Sequence, residues 1–308
     1  MRATERFLGR VRRQFTLVFF GHILNWPFRN RAARRKRRYD ATRRSTLNYL
    51  KRYVPHIKEI NPRKPADMTP EPERVFTIWF QGERNAPPLV KACFASMRRH
   101  LKQELVVLDE ENLFDWVDLP EYVIEKWRSG KLSAAHFSDI CRVDLLWRHG
   151  GVWLDATAFV TQPIPEWIMD EDFFIYMAGS KIRAYYSFVQ NCFIRSRKGN
   201  ELISIWRDAI LHYWEDETSV VNYFTHHFLF NVAVENNPVA IEAFAKMRKE
   251  EQDPTHALWD SHSGDPYDEA SFKELTKDAF FQKTSYKSAT AKEPPAGSVA
   301  EKLINSSR

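Results

Sequence analysis

Cysteine is scarce in this chain. The 308 residues include three cysteines, Cys93, Cys141 and Cys192. Their odd number, wide spacing and apolar neighbours do not fit a secreted domain held together by disulfide bonds. We therefore expect three reduced thiols in the core of an intracellular protein.

Long apolar runs are also missing. The longest, residues 15–28, is mostly apolar but is interrupted by His22 and Asn25. A helix that spans a bilayer needs about 20 apolar residues, so this segment is too short and too polar to cross one. It also has no small-residue cleavage site of the kind that ends a secretory signal.

Several short motifs that carry known chemistry are absent. The sequence has no G-x-S-x-G nucleophile elbow, no P-loop, no G-x-G-x-x-G, no C-x-x-C and no H-E-x-x-H. A function built on any of these signatures is thereby excluded. A pair of carboxylates for hydrolysis stays open, because the pairing of Asp and Glu in space is not visible in a sequence.

The most informative segment that is present is FSDICRVDLLWRHGGVWLDATAF, residues 137–159. Its first half predicts a helix, because apolar residues recur every three to four positions. Asp139 and Arg142 lie three residues apart on a neighbouring face of that helix, so the two side chains can act together. Gly150 and Gly151 predict the end of the helix, because glycine adopts a positive φ without a Cβ penalty.

The second half of this segment predicts a short buried strand over residues 152–154. Asp155 follows the point at which the apolar run stops. Enzymes of the α/β class present ligand-binding groups at the ends of buried strands. We therefore expect Asp155 to lie in a functional site.

Strand-like and helical segments alternate along the chain. Strands are predicted over residues 75–80, 105–108, 152–154 and 173–177, and helices over residues 88–100, 120–129 and 201–215. This alternation predicts an α/β fold with a Rossmann-like sheet and helices on both faces.

Composition divides the chain into four parts. Residues 1–61 form a basic arm, and residues 62–73 a stiff linker that contains four prolines. Residues 74–287 form the globular domain. From residue 288 the sequence turns polar, and we expect residues 288–308 to be a flexible tail.

The order of these motifs resembles one enzyme family. The string SDICRVDLLWRHGGVWLDAT is similar to the S-D-x-x-R … G-G-[hydrophobic]-[aromatic]-x-D-x-[D/T] signature of GT-A glycosyltransferases with an α-1,6-mannosyltransferase or clostridial-toxin type core. It resembles most closely the capsular polysaccharide synthesis branch, in which the last motif reads D-A-T. The similarity runs from about residue 76 to residue 287, through TIWFQG, VVLDEENLFDWVDLP, SFVQNCFIRSRKGN, YFTHHF and QKTSYK.

This resemblance implies roles at the nucleotide and the sugar. Trp79 would stack on the base of a nucleotide-sugar donor, with Gln81 and Gly82 in the same nucleotide loop. Trp153 would form a wall of the sugar pocket. Apart from the resemblance, we expect Asn191 directly after a strand over residues 187–190, where its amide would point at the donor sugar.

The resemblance also implies the catalytic residues. Ser138, Asp139 and Arg142 belong to the S-D-x-x-R motif, in which Asp139 and Arg142 would hydrogen-bond sugar hydroxyls. Arg is a rigid fork of donors and ionised Asp is an acceptor, so the pair can bind adjacent hydroxyls from both sides. Asp155 would bind the ribose or a metal ion, as the first acid of the family's Asp-x-Asp motif does.

The second acid of that motif is replaced by Thr157 in this chain. A hydroxyl is a poorer ligand than a carboxylate for a hard divalent cation. Two arrangements stay open. In the favoured one Asp155 holds Mn²⁺ or Mg²⁺ together with the diphosphate, waters and His227, and in the other Lys283 and Lys287 neutralise the diphosphate.

Each of these residues also has a purely structural interpretation. An isolated Asp and Arg three residues apart is usually a surface ion pair, and a buried Trp is as often core as ligand platform. A histidine among aromatics, such as His226 or His227, is usually a packing residue. Asn191 would as often form a turn, and Asp144 is expected to be a structural partner. The strand-end carboxylate beside the pair favours the functional interpretation.

The charge of the chain is concentrated at one end. Residues 1–44 contain 14 Lys or Arg against Glu5 and Asp40, which gives this arm a net charge of +12. Since the whole chain carries +6, the remainder carries −6. Basic residues beside an aromatic-containing apolar segment are typical of an interfacial membrane anchor, whereas a basic arm alone would also suit nucleic acid. The apolar segment favours an anionic membrane, and no nucleic acid is expected.

Together these features predict a GT-A glycosyltransferase at the cytoplasmic face of the plasma membrane. It would move a sugar from a nucleotide-sugar donor to a capsular or other surface glycan, or to a lipid-linked glycan, and the resemblance implies retention of configuration. A hydrolase is the poorer interpretation, because it needs no nucleotide site. A catalytically inactive sugar-nucleotide-binding module and a basic nucleic-acid-associated protein stay open as alternatives.

Overall fold

The computed structural model describes residues 31–179 and 188–306, with side chains from residue 37 onward. Its strands are β1 (Arg74–Ile78), β2 (Glu104–Leu108), β3 (Gly151–Leu154), β4 (Ala158–Val160), β5 (Phe173–Met177), β6 (Val189–Ser196) and β7 (Phe281–Lys283). Its helices are α1 (Arg31–Leu50), α2 (Val54–Glu59), α3 (Pro88–His100), α4 (Glu121–Arg128), α5 (Ala134–His149), α6 (Glu166–Asp170), α7 (Glu201–Asp216), α8 (Thr225–Asn236), α9 (Pro238–Lys246), α10 (Ala257–His262), α11 (Glu269–Thr276), α12 (Ala289–Lys292) and α13 (Val299–Asn305).

Five strands form a mixed sheet in the order β2-β1-β3-β6-β5. β1 is parallel to β2 and β3, whereas β6 is antiparallel to β3 and β5. Helices flank this sheet, so the predicted mixed α/β architecture is confirmed. Because parallel strands end on the same side, the carboxyl ends of β1 and β3 meet the beginning of β6 at one edge. β4 and β7 form a separate two-stranded antiparallel sheet.

The segment that carries the motifs folds as predicted. α5 begins at Ser133, whose hydroxyl accepts a hydrogen bond from the backbone N–H of His136 at 3.3 Å. It ends at Gly150, which has φ 67° and donates its N–H to the carbonyl of Leu146 at 3.0 Å. Gly151 follows with φ 90° and opens β3, which is buried along its whole length.

The last part of the predicted arm packs against the domain. Leu50, Tyr53, Ile57 and Ile60 are buried in the main hydrophobic core. Their spacing of three and four residues is that of one helical stripe, which buries apolar surface against the domain. Asn237 reinforces this contact, because its side-chain amide donates to the carbonyls of Ile57 and Ile60 at 2.9 Å each. Residues 50–60, which belong to the predicted arm, therefore pack as part of the domain.

The proline-rich segment, residues 62–73, contains no helix or strand, but it lies along the domain. The N–H of Arg63 donates to the hydroxyl of Ser204 at 2.9 Å, and the ammonium of Lys64 donates to the carbonyl of Gly199 at 2.7 Å. This segment therefore packs along the surface of the domain.

Residues 288–306, for which the sequence predicts a flexible tail, contain two helices and pack against the domain. This segment forms α12 and α13, and Val299, Ala300 and Leu303 are buried against Leu89 and Cys93 in a second hydrophobic cluster. The apolar stripe of α13 contains only these three residues, so the segment as a whole has a polar composition.

The three cysteines are free and buried, as predicted. No helix in the described part of the chain is long and apolar enough to cross a membrane. The predicted membrane-binding segment, residues 15–28, lies outside the described residues.

Candidate active site

A cleft of about 310 Å³ opens at the edge where β1 and β3 end and β6 begins. Trp79 follows β1, and Asp155 follows β3. The backbone N–H of Asp155 donates to the carbonyl of Cys192 in β6 at 2.9 Å, which holds the strand end in place. The cleft is lined by α5 on one side and by the loop before α8 on another, and Lys283 at the end of β7 also lines it.

Arg142 lies at the centre of the polar groups in this cleft. Its side chain is 7% exposed, and the guanidinium contacts Asp139 at 3.0 Å and Asp155 at 3.5 Å. It also donates to the backbone carbonyl of Asn191 at 2.5 Å and lies 4.6 Å from the centre of the Trp153 ring. One rigid donor group therefore joins the helix, the strand end and β6.

Asp139 is held by three different elements. Besides Arg142, it accepts hydrogen bonds from the amide of Asn191 at 2.9 Å and from His226 at 3.2 Å. Burial by itself would raise the pKa of this carboxyl, but Arg142 and His226 hold the pKa well below its usual range. Asp139 is therefore a fixed anion in the wall of the cleft.

Asp155 has a different set of partners. It accepts a hydrogen bond from the indole N–H of Trp153 at 2.9 Å, and the ammonium of Lys283 lies 2.9 Å from its other oxygen. The same ammonium donates to the hydroxyl of Thr157. Burial would raise the pKa of Asp155, but the positive charges of Lys283 and Arg142 outweigh it and lower that pKa.

His227 also lines the cleft and is 5% exposed. Its Nδ1 is buried and makes no hydrogen bond to any of the described residues. Burial lowers the pKa of His227 to about 4, so the imidazole is neutral at pH 7.

These residues do not fit a divalent cation in this arrangement. Within residues 31–179 and 188–306 there is no group of three or more His, Cys, Asp or Glu side chains placed to hold a metal ion. Mn²⁺ and Mg²⁺ prefer carboxylate oxygens, and at the motif positions Asp155 and Thr157 already bind the Lys283 ammonium. Of the two lysines considered from the sequence, Lys283 lines the cleft, whereas Lys287 is exposed.

The structure brings most of the predicted site residues to one place. The three predicted catalytic residues line the cleft together with six of the predicted binding residues: Trp79, Ser138, Trp153, Thr157, Asn191 and Lys283. Gln81 and Gly82 are not part of the lining. Gln81 is exposed in the loop after β1, and its carbonyl accepts a hydrogen bond from the side chain of Asn85 at 2.8 Å.

Asn191 does not follow a strand, because it lies inside β6, where its side chain and its carbonyl bind Asp139 and Arg142. The prediction that Asp144 is structural is confirmed, since it is fully buried and paired with Arg148 and Arg207.

Sequence reasoning missed two residues near the site. Tyr223 lines the cleft with a side chain that is 62% exposed. His226 was expected to be a satisfied packing residue, and it is, because it accepts from the indole of Trp214 at 2.8 Å while contacting Asp139. Its contact with the carboxylate of Asp139 was not foreseen. The block YFTHHF was the available signal, since it placed both residues beside His227.

Two named proteins are similar in sequence to about half of this chain. The O-glycosyltransferase braB of Annulohypoxylon truncatum is 29% identical over 173 residues, which cover 51% of this chain and 41% of that protein. The O-glycosyltransferase PaGT of Phomopsis amygdali is 30% identical over 185 residues, which cover 54% of this chain and 44% of that protein. The chain thus matches less than half the length of these curated relatives.

Among solved structures, the PaToxG glycosyltransferase is similar over 87% of this chain and 96% of that chain, with 12% identity and a TM-score of 0.36. A family model described as capsular polysaccharide synthesis protein matches residues 27–303. Because that match covers most of the chain and includes every residue of the cleft, this chain belongs to the family of capsular polysaccharide synthesis proteins.

Proposed function

We propose that this chain is a glycosyltransferase that moves a sugar from a nucleotide-sugar donor to a glycan or lipid-linked glycan acceptor. The observation that carries the proposal is the cluster of Asp139, Arg142, Asp155 and Lys283, whose four charged groups meet in one cleft at the carboxyl edge of the parallel strands. The names of the similar fungal proteins, which are O-glycosyltransferases, support the same activity.

Sugar transfer needs this kind of charge arrangement. As the bond between the anomeric carbon and the diphosphate breaks, positive charge develops on the carbon and negative charge on the leaving oxygen. The cleft holds two carboxylates and two cations in fixed positions. Groups that are already oriented stabilise both developing charges without reorganising during the reaction.

The binding groups suit the two halves of a donor. Trp79 lines the cleft beside Tyr286, with the two rings 5.2 Å apart and nearly perpendicular, and it offers an aromatic platform for a base. Asp139 and Arg142 would bind sugar hydroxyls, and the neutral His227 supplies a buried nitrogen that has no partner within the described residues. We propose that a sugar hydroxyl binds this nitrogen.

We further propose that transfer retains the anomeric configuration. The acceptor hydroxyl would attack the anomeric carbon on the side from which the diphosphate leaves. A new carbon–oxygen bond forms as the bond to the diphosphate breaks, and an oxygen of the leaving diphosphate takes the hydroxyl proton. Anomeric analysis of the product by NMR tests this step, and an inverted product would refute it.

The charge distribution supports attachment to an anionic membrane at its cytoplasmic face. Residues 1–44 carry +12, and the remaining residues carry −6. Each Lys or Arg near an anionic leaflet contributes about 1 kcal/mol of binding free energy. The acidic body would be repelled by the same surface, so the arm would orient the enzyme with only one end on the membrane.

Activity assays with variants test the proposed function. The full-length chain is incubated with a panel of nucleotide sugars and glycan acceptors, and products are followed by mass spectrometry. We expect Asp155→Asn to lower kcat by about 10²–10³-fold, and Asp139→Ala to raise the donor KM as well as lower kcat. Asp278→Asn, which changes an exposed aspartate, is the matched control and should keep wild-type rates.

The same assays separate the alternatives. An inactive sugar-nucleotide-binding module would show a thermal shift with a nucleotide sugar but neither transfer nor donor hydrolysis. A nucleic-acid-associated protein would bind RNA or DNA through the arm and would lose this binding on deletion of residues 1–44. Wild-type turnover by Asp155→Asn would rule out the proposed site.

A further inference from the structure

The position of Lys283 in the cleft is unusual for a site that would hold a divalent cation. Its ammonium lies 2.9 Å from Asp155 Oδ2 and also donates to the hydroxyl of Thr157. These are the two residues at which an Asp-x-Asp motif would present its carboxylates. A positive charge supplied by the protein therefore lies between the two motif positions.

Strand pairing fixes the lysine in this place. β7 is antiparallel to β4, with Lys283 opposite Ala158, and the N–H of Thr284 donates to the carbonyl of Thr157 at 2.8 Å. Successive side chains of a strand point to opposite faces. Gln282, the preceding residue, accordingly binds the carbonyl of Pro254 and the N–H of Leu258 on the other side.

The charges of the cleft are already balanced without a metal ion. Asp139 and Asp155 contribute two negative charges, and Arg142 and Lys283 contribute two positive charges within 3.5 Å of them. A divalent cation that entered beside Asp155 would be close to both of these positive groups. Repulsion between like charges at such distances is large where water is partly excluded.

We infer that Lys283 takes the place of a divalent cation in this enzyme, so that transfer proceeds without a metal ion. This inference rests on the proposed glycosyltransferase function. An ammonium has three N–H donors, and two of them bind Asp155 and Thr157. Among the described residues the third donor has no partner, so it can donate to an oxygen of the donor's diphosphate. Arg142 supplies the second positive charge near the leaving group.

The first test concerns the wild-type chain. The full-length protein is stripped of metal with EDTA, and transfer is measured with and without added Mn²⁺ or Mg²⁺. We expect rates that agree within about twofold, because no step needs a Lewis acid. A loss of transfer with EDTA that Mn²⁺ restores would overturn the inference.

A second measurement does not depend on activity. Electron paramagnetic resonance of Mn²⁺ is recorded with uridine or guanosine diphosphate, in the presence and absence of the protein. We expect no protein-bound Mn²⁺ beyond that held by the nucleotide, and a distinct bound signal would count against the inference. If the wild-type chain transfers no sugar from any donor, the proposed function fails, while this measurement still decides the question of the metal.

Substitution of Lys283 tests whether its ammonium binds the diphosphate and supports transfer. Lys283→Met should lower transfer by about 10²-fold and weaken binding of the nucleoside diphosphates in calorimetry. Lys277→Met, which changes an exposed lysine paired only with Glu274 in the described structure, is the control and should match wild type. Unchanged transfer and binding in a folded Lys283→Met protein would overturn the inference.

A double variant restores an acidic pair at the two motif positions and removes the lysine that lies between them. Thr157→Asp combined with Lys283→Ala removes the ammonium and adds a second carboxylate beside Asp155, so that both motif positions are acidic. We expect this protein to bind Mn²⁺ in the resonance experiment and to require it for any transfer it retains. Failure to bind Mn²⁺ would argue that the lysine is not what excludes the metal.

Discussion

Replacing Gly151 with alanine should destabilise the fold more than the same change at another glycine of positive φ. Gly151 has φ 90°, and a Cβ built on it would lie 2.4 Å from the carbonyl oxygen of Arg74. That oxygen belongs to the backbone of β1, which pairs with both β2 and β3. The atom therefore cannot move aside as a flexible side chain would.

Gly130 provides the matched control, because it has φ 70° and no atom within 4 Å of a built Cβ among the described residues. Gly130→Ala should cost about 1–2 kcal/mol of unfolding free energy, from the strained backbone alone. Gly151→Ala adds the cost of the backbone clash, about 1–3 kcal/mol on the scale of overpacked cores. We expect a total of about 2–5 kcal/mol for Gly151→Ala.

Urea unfolding followed by circular dichroism measures this difference. In a thermal melt the Tm of Gly151→Ala should lie below that of Gly130→Ala by about 2–12 °C. Because Gly151 lies between the helix of Arg142 and the strand that precedes Asp155, the folded variant should also bind nucleotide sugars more weakly. If Gly151→Ala and Gly130→Ala unfold within about 0.5 kcal/mol of each other, the close packing of β3 against Arg74 is not as described.

Three further predictions concern stability and location. The pKa of His227 is about 4 in the fold and 6.5 as a free side chain. Between these two pH values the unfolded chain binds more protons than the folded chain. The unfolding free energy should therefore fall by up to about 3 kcal/mol as the pH drops from 6.5 to 4. In urea titrations, His227→Asn should lose less unfolding free energy between pH 7 and pH 5 than the wild type does. An equal loss in the two proteins would contradict this prediction. Leu303→Ala should lower the unfolding free energy by about 2–5 kcal/mol, where a flexible tail would show no change. The full chain should float with anionic liposomes at low salt and dissociate at high salt, whereas a chain lacking residues 1–44, or neutral liposomes, should show no flotation.

The segment from Ala134 to Asp155 was predictable because its signals are local. The apolar spacing of the helix, the two glycines after His149 and the short apolar run before Asp155 each act over a few residues. The structure has the helix at Ala134–His149 and the strand at Gly151–Leu154. The adjacency of Asp139, Arg142 and Asp155 follows from this one turn.

The limits of the domain were less predictable, because burial depends on surfaces supplied by distant parts of the chain. The stripe from Leu50 to Ile60 and the short stripe of α13 are both flanked by polar residues in the sequence. Each is buried because a complementary apolar surface meets it, at α8 for the first and at α3 for the second. The composition of a short segment does not indicate which distant surface the segment will pack against.

The sequence by itself therefore determined the α/β class, the helix-turn-strand unit and most of the residues of the cleft. Tertiary structure alone decided that Lys283 meets Asp155 across 128 positions of the chain, and that Asn191 lies inside β6 and binds Asp139. Both contacts arise from strand pairings that bring remote residues together, β4 with β7 and β3 with β6. Such pairings depend on which backbone hydrogen bonds the whole fold can satisfy, and no short stretch of sequence specifies them.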